Sequence, residues 1–240
     1  MKKLTMFASC LIFGLFAASS AFADYPTEVN KRPLTLPGGS WEVDAGLNLT
    51  DKFESANLGL IGKYAVNDTT QVHVGYGLPV KDFKVAKAVE LGMNYGVIHD
   101  GPLHMAPSLT LPLSFEEGAD VLGSINIGLD SRYNLSGDQI AIYCGHGLVS
   151  YNISASSHLI ALPLGIGYQV DGQINIRLDT TLATMAKGAD LVSIADTQPI
   201  KISMIYSMDS DMDVGVNVDF NADAAGDTLT AGVALAYRAF

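Results

Sequence analysis

Hydrophobic and polar residues alternate with a period of two along much of this chain. Every second residue is apolar in the segments 41–49, 174–178 and 212–220, and the residues between them are polar, charged or small. Successive side chains of a β-strand point to opposite faces of its sheet, so this pattern predicts strands with one apolar and one polar face.

Together with the turn signals between them, such runs predict about twelve strands. Each is roughly 9–14 residues long, close to the about 9–11 residues with which a tilted strand crosses a bilayer. We expect the strands near 41–49, 56–66, 70–80, 85–98, 102–114, 121–135, 139–150, 157–170, 173–184, 198–208, 211–221 and 228–240.

A tyrosine recurs at the end of every second predicted strand. The six are Tyr64, Tyr95, Tyr133, Tyr168, Tyr206 and Tyr237, at intervals of 31–38 residues, about one hairpin with its loops. This spacing places all six on one side of the structure, where Trp41 begins the first strand. A membrane interface selects such aromatics, because the ring is apolar while the tyrosine hydroxyl is hydrated. We therefore predict an aromatic girdle of these seven residues.

The first 23 residues have the pattern of a cleaved secretory signal peptide. Two lysines precede an apolar stretch at 11–18, and Ala21-Phe22-Ala23 forms a small-x-small cleavage site before Asp24. A lipoprotein motif at Cys10 is disfavoured, because Cys10 precedes most of the apolar core. An uncleaved anchor is also disfavoured, since it needs about 20 apolar residues. We expect the mature protein to be exported.

Composition excludes several classes of function. The chain has 25 Asp and Glu against 14 Lys and Arg, a formal net charge of −11, which argues against nucleic acid as a partner. Its 48% apolar content is too high for a disordered chain. With Cys10 in the leader, Cys144 is the one cysteine left, so neither an intrachain disulfide nor a Cys-based metal site is expected. No motif indicates a cofactor.

Two all-β architectures fit alternating strands, a soluble sandwich and a closed barrel. A sandwich of twelve strands turns its apolar faces inward and has sheet edges to protect. Export, an even strand number and tyrosines on one side favour the closed form. The fold expected for 41–240 is a transmembrane antiparallel up-and-down β-barrel.

With its leader, its alternation and its terminal Phe240, the chain resembles a bacterial outer-membrane β-barrel of the porin-like kind, without matching one named family. The resemblance covers almost all of 41–240. It implies outer-membrane localisation among lipid and lipopolysaccharide, both termini in the periplasm, and the girdle at the periplasmic rim. It also implies that barrel-insertion machinery recognises Phe240. Phe240 has the opposite parity from Leu235 and Tyr237, so this last expectation requires a bulge near Arg238-Ala239.

If the apolar set faces lipid, the other parity lines the interior. The predicted lumen-lining charges are seven acids and five bases: Glu42, Asp44, Lys63, Glu90, Asp130, Arg132, Arg177, Asp179, Lys201, Asp213, Asp219 and Arg238. Residues 139–170 carry no Asp, Glu, Lys or Arg, so one wall is expected to be neutral. Twelve strands lie between about eight, which side chains fill, and about 16–18, which enclose an aqueous channel.

These features lead to a passive channel for small hydrophilic solutes, with a mild cation preference from the acidic excess. The alternative is a closed structural barrel in which the same charges form an internal salt-bridge network. Short outer loops offer little area for a protein partner, which disfavours an adhesin.

The segment 24–40 has three prolines and a Gly-Gly pair, so it forms neither a regular helix nor a central strand. It either trails in the periplasm or folds into the barrel mouth as a plug. The disordered lead-in is the simpler interpretation and is favoured.

One pair of residues suggests an enzymatic function as a disfavoured alternative. A hairpin centred on Ser154 places Ser150 and His158 opposite one another on the lipid side, where a lipid hydrolase or acyltransferase works. Asn152 is the one nearby residue that could orient the histidine, and no acid is close. A barrel without enzymatic activity is therefore expected.

Overall fold

A computed structural model describes residues 25–50, 55–80, 88–116, 118–135, 137–145, 147–153, 155–186, 199–222 and 228–240. The predicted signal peptide, 1–23, lies outside this part of the chain. Within it, no helix is long and apolar enough to span a membrane.

The described residues form thirteen strands, two of which occupy one position in the sheet. They are β1 (Trp41–Thr50), β2 (Ser55–Ala65), β3 (Thr70–Pro79), β4 (Ala88–Tyr95), β5 (Leu103–Ser114), β6 (Ser124–Leu135), β7 (Ile140–Cys144), β8 (Val149–Asn152), β9 (Ser157–Gln169), β10 (Ile174–Ala186), β11 (Pro199–Ser207), β12 (Met212–Asn221) and β13 (Thr230–Ala239). Each predicted strand has a counterpart, and residues 85–87 of the fourth lie outside the described ranges.

The sheet closes on itself. Every neighbouring pair is antiparallel, β9 pairs with β10, and β13 pairs with β1 from Ala239 opposite Trp41 to Ala231 opposite Leu49. Because the first and last strands are joined in this way, the sheet has no free edge. The predicted up-and-down barrel with twelve strand positions is confirmed.

The apolar face of the sheet is the outer face. On β12, Val214, Val216 and Val218 are 39–42% exposed, and the side chains beside Val216, Met204 and Val233, are similarly open. The buried side chains of the strands are mostly polar or charged and have the other parity: Glu42, Gln71, Arg132, Asn134, Gln169, Asn175, Ser207, Asp213 and Arg238. A soluble sandwich buries its apolar side chains and exposes its polar ones. The arrangement here is the reverse, which rules out the sandwich.

The predicted strand 139–150 is interrupted between β7 and β8. Gly145 and Gly147 adopt φ values of +101° and +72°, in the region that favours glycine. A Cβ on Gly145 would lie 1.7 Å from the carbonyl oxygen of Leu129, whose N–H donates to the Gly145 carbonyl at 2.8 Å. Both β7 and β8 pair with β6 and with β9, so the interruption leaves the ring closed.

Gly145→Ala is expected to lower the free energy of unfolding by about 1–3 kcal/mol, the cost of a strained backbone, and the contact with Leu129 adds to it. Guanidinium titration of the liposome-reconstituted protein measures the change. Gly62→Ala is the control, since a Cβ there meets nothing within 4 Å. Equal stability of the two variants would show that the close contact between residue 145 and the Leu129 carbonyl does not restrict which side chain position 145 accepts.

The last strand runs in register to its end. The β1–β13 ladder pairs Glu42 with Arg238 and Trp41 with Ala239 without a shift, so the bulge required for the Phe240 insertion signal is absent. The Phe240 ring lies 4.9 Å from the ring of Tyr25, in the N-terminal segment. Phe240 thus keeps the parity of Arg238, which weakens the resemblance to an insertion signal, and recognition of Phe240 by insertion machinery stays a prediction.

Candidate functional site: the barrel interior and its mouth

The twelve charged residues predicted to line the lumen lie on the face opposite the exposed valines. Nine of them line three internal cavities: Glu42, Lys63, Glu90, Asp130, Arg132, Arg177, Asp179, Lys201 and Arg238. Asp44, Asp213 and Asp219 each form an ion pair with one of these nine. Alternation along each strand, taken from the sequence alone, therefore predicts that these charges share one surface.

Five of these residues form a charge cluster on β1, β2, β12 and β13. The Lys63 Nζ lies 2.6 Å from Glu42 Oε1 and 2.6 Å from Asp44 Oδ2. Arg238 contacts Glu42 through Nε and Asp213 through Nη2, the latter at 2.5 Å. Glu42, Asp213 and Arg238 are buried, so each charge depends on its partners for compensation.

The N-terminal segment, residues 25–40, joins this cluster through Arg32. Its guanidinium makes a bidentate contact with Asp213, 2.5 Å to Oδ2 and 2.9 Å to Oδ1, and donates to Ser207 Oγ at 2.8 Å. The bidentate pairing fixes Arg32 against β11 and β12.

Asn30 is a second anchor on another part of the wall. Its fully buried side chain donates to the Asp138 carbonyl at 2.9 Å and accepts from Tyr143 Oη at 2.7 Å and Asn175 Nδ2 at 3.1 Å. Its backbone carbonyl accepts from Asn134 Nδ2 at 2.8 Å. The segment is therefore fixed to β6, β7 and β10.

The third anchor lies at the β2–β3 turn. Thr35 Oγ1 donates to the Asp68 carbonyl at 2.8 Å, the Leu36 N–H donates to Gln71 Oε1 at 3.0 Å, and the Gly38 N–H donates to Asp68 Oδ1 at 2.8 Å. The three anchors are spread around the ring at the end that carries the aromatic girdle. The segment thus crosses the barrel mouth, and these contacts favour the plug over the disordered lead-in that the sequence favoured.

Three cavities formed by described residues lie around this segment, and Leu34 lines all three. The mouth cavity, about 230 Å³, lies among Tyr25, Arg132 and Arg238. The β2–β6 cavity is about 450 Å³ and the β6–β11 cavity about 530 Å³, and both are also lined by Asp130. The three cavities therefore adjoin one another at Leu34, and the two larger ones also adjoin at Asp130.

Part of the β2–β6 cavity wall is polar. His73 Nε2 lies 3.6 Å from Glu90 Oε1, and Asn94 donates to Asp130 at 2.9 Å. Charge-based reasoning on the sequence missed His73 and Asn94, although both have the inner parity of their strands.

The β6–β11 cavity contains the wall that was expected to be neutral. Arg177 Nε lies 2.6 Å from Asp179 Oδ1, and the Arg177 guanidinium lies 4.0 Å from the Tyr143 ring centroid. Gly165 leaves the space for this pair, since a Cβ there would lie 2.1 Å from Asp179 Oδ1. The charged side chains of β10 thus extend over the small residues of β9. They partly cover the wall that was predicted to be neutral.

Arg132 differs from the other bases of the inner face. It is 2% exposed, donates through Nη1 to the Val29 carbonyl at 3.3 Å, and forms no ion pair with a described carboxylate. Its Nε and Nη2 have no hydrogen-bond partner among the described residues. At the mouth, Arg132 therefore contacts a backbone carbonyl in place of the carboxylate partners that the other arginines of the inner face have.

The register of β8 and β9 separates the two residues of the suggested enzyme site. Ser150 pairs with Leu159, and His158 pairs with Tyr151, so Ser150 and His158 lie on opposite faces of the sheet. The hairpin is centred one half-residue later than expected, and Asn152 Oδ1 accepts from the Ala155 N–H in the turn. The predicted pairing is wrong, because a one-residue change of register reverses the face of every side chain.

Comparison with solved structures agrees with this geometry. The structure titled KdgM porin is 12% identical, with a TM-score of 0.58, and the match covers 82% of this chain and 98% of that chain. The chain has the fold of this porin. A KdgM porin in complex with disordered oligogalacturonate matches at 11% identity and a TM-score of 0.59, and NanC porin at 8% and 0.57, each over 82% of this chain and 98% of the other. The porin-like fold expected from the sequence is confirmed.

No protein-family model matches the chain, and no curated protein sequence matches it.

Proposed function

We propose that this protein is a bacterial outer-membrane β-barrel that forms a passive channel for small hydrophilic solutes. The observation that carries the proposal is the closed ring, apolar outside, with internal cavities of about 450 and 530 Å³ that charged side chains help to line. A ring without free edges satisfies its backbone in hydrocarbon. Similarity to structures whose titles name porins, one with a saccharide, supports this function.

The aromatic girdle gives the proposed orientation. Tyr64, Tyr95, Tyr133, Tyr168 and Tyr206 are between 40% and 49% exposed, which suits a position at the lipid–water interface. We place this end, with both termini and the N-terminal segment, at the periplasmic side, after removal of a signal peptide. Lipid and lipopolysaccharide then surround the apolar outer face.

The proposed ion preference is weakly cationic. The strands contribute seven acids and five bases to the inner face, and Arg32 adds one more base from the N-terminal segment. Most of these charges are paired with one another, which reduces the field available to a passing ion. A small excess of acids therefore remains to favour cations.

A second candidate, the closed structural barrel, is favoured by one observation. The three anchors of the N-terminal segment hold it across the mouth, and the mouth cavity beside it is only about 230 Å³. In this alternative the barrel does not conduct unless the segment is removed.

Single-channel recording in a planar bilayer distinguishes the two. The folded mature chain is expected to give discrete conductance steps, and a KCl gradient is expected to give a reversal potential on the cation-selective side. A folded chain that stays silent, while a variant lacking residues 25–36 conducts, would identify the closed barrel instead. Silence of both would contradict the channel.

A further inference from the structure

We propose that Leu34 is the constriction that sets the size limit of the channel, an inference that rests on the proposed channel function. Among the described residues, Leu34 is the one that lines the mouth cavity, the β2–β6 cavity and the β6–β11 cavity. A solute that passes from the mouth cavity into either of the other two thus passes beside its side chain.

Leu34 is held in place from both sides. Arg32, two residues before it, is fixed by Asp213 and Ser207, and Thr35 and Leu36, directly after it, are buried against the β2–β3 turn. Pro33 restricts the backbone between these anchors. Leu34 is therefore a fixed obstacle within the lumen and not part of a swinging lid.

The two leucines of the segment have different environments. Leu36 is 4% exposed and is packed, whereas Leu34 is only half-buried and faces cavities lined by Lys63, Asp130 and Arg132. Leu34 therefore borders the open space of the β2–β6 and β6–β11 cavities, which Leu36 does not line. At a narrow point, an apolar side chain restricts passage by its volume and by weak wetting.

Leu34→Ala is the first test. Single-channel conductance should rise by about 1.5-fold or more, because three carbon atoms are removed beside a mouth cavity of only about 230 Å³. Liposome swelling should show entry of larger sugars than the wild type admits. Leu235→Ala is the matched control, since Leu235 lies on the exposed outer face, and its conductance should be unchanged.

A second test changes the size of the side chain at position 34 after the protein has folded. Leu34→Cys in a Cys144→Ala background is reconstituted, and thiol reagents of increasing size are added to the open channel. Conductance should fall in steps that grow with reagent size. Lys31→Cys is the control, because Lys31 is exposed on the same segment and lines none of the three cavities.

The results separate this inference from the channel proposal. A conducting wild type with an unchanged Leu34→Ala, or thiol modification at position 34 without a change of current, overturns the role of Leu34 alone. If the folded wild type and Leu34→Ala are both silent, the channel function fails and the constriction with it.

Discussion

Replacing Asp213 with alanine is expected to lower the free energy of unfolding by about 3–5 kcal/mol, the usual result of removing one partner from a buried charge cluster. Asp213 accepts from two arginines, Arg32 and Arg238, and all three residues are buried. Without it, Arg32 keeps Ser207 and two backbone carbonyls but has no carboxylate. The measurement is a guanidinium titration of the protein in liposomes.

Asp219→Ala is the control on the same strand and the same face. Asp219 is partly exposed and lies 3.9 Å from Lys201, so its removal should cost less than about 1 kcal/mol. Because Arg32 belongs to the N-terminal segment, Asp213→Ala should also make that segment more sensitive to protease, whereas Asp219→Ala should not. Similar stability of the two variants would mean that the cluster does not hold the segment.

Val216→Arg is expected to cost about 2–4 kcal/mol, the penalty for a basic side chain on the lipid face near the bilayer midplane. Val216 lies at the middle of β12, is 42% exposed, and is flanked by Met204 and Val233 on neighbouring strands. Its side chain points out of the barrel, where we propose that lipid hydrocarbon surrounds it.

Asn217→Arg is the matched control, one residue away on the inner face. Asn217 Nδ2 donates to Asp219 at 2.6 Å, so an arginine there has water and a carboxylate within reach. Its cost should be much smaller than that of Val216→Arg. Equal costs in liposomes would mean that the two faces of β12 meet the same solvent.

The strands could be predicted from sequence because lipid-facing strands follow a simple rule. On β12, Val214, Val216 and Val218 are outside and Asp213 and Asn217 inside, as their alternation indicates. Parity needs no knowledge of neighbouring strands. The twelve charged residues were assigned to the inner face in the same way, one strand at a time.

The path of the N-terminal segment across the mouth could not be predicted, since it depends on single long-range contacts. Asn30 is fixed by residues more than 100 positions away, and neither composition nor periodicity indicates such a partner. Prolines excluded helix and central strand from this segment, but they do not distinguish a disordered tail from a folded crossing. Arg32 and Leu34 were missed for the same reason.

The register between neighbouring strands was the other feature that could not be predicted from the sequence. The Ser150–His158 pairing depended on where one hairpin turns, and a shift of one residue placed the two on opposite faces. The break at Gly145 likewise follows from its positive φ and its approach to Leu129, which alternation does not reveal.

The most direct test of the whole account is spin-label accessibility along β12, one cysteine at a time from position 213 to 218, in liposomes and in a Cys144→Ala background. We predict that labels at the even positions 214, 216 and 218 collide with lipid-dissolved oxygen, while those at 213, 215 and 217 do not. Labels that all respond alike to a water-soluble relaxant would contradict a barrel bathed in hydrocarbon.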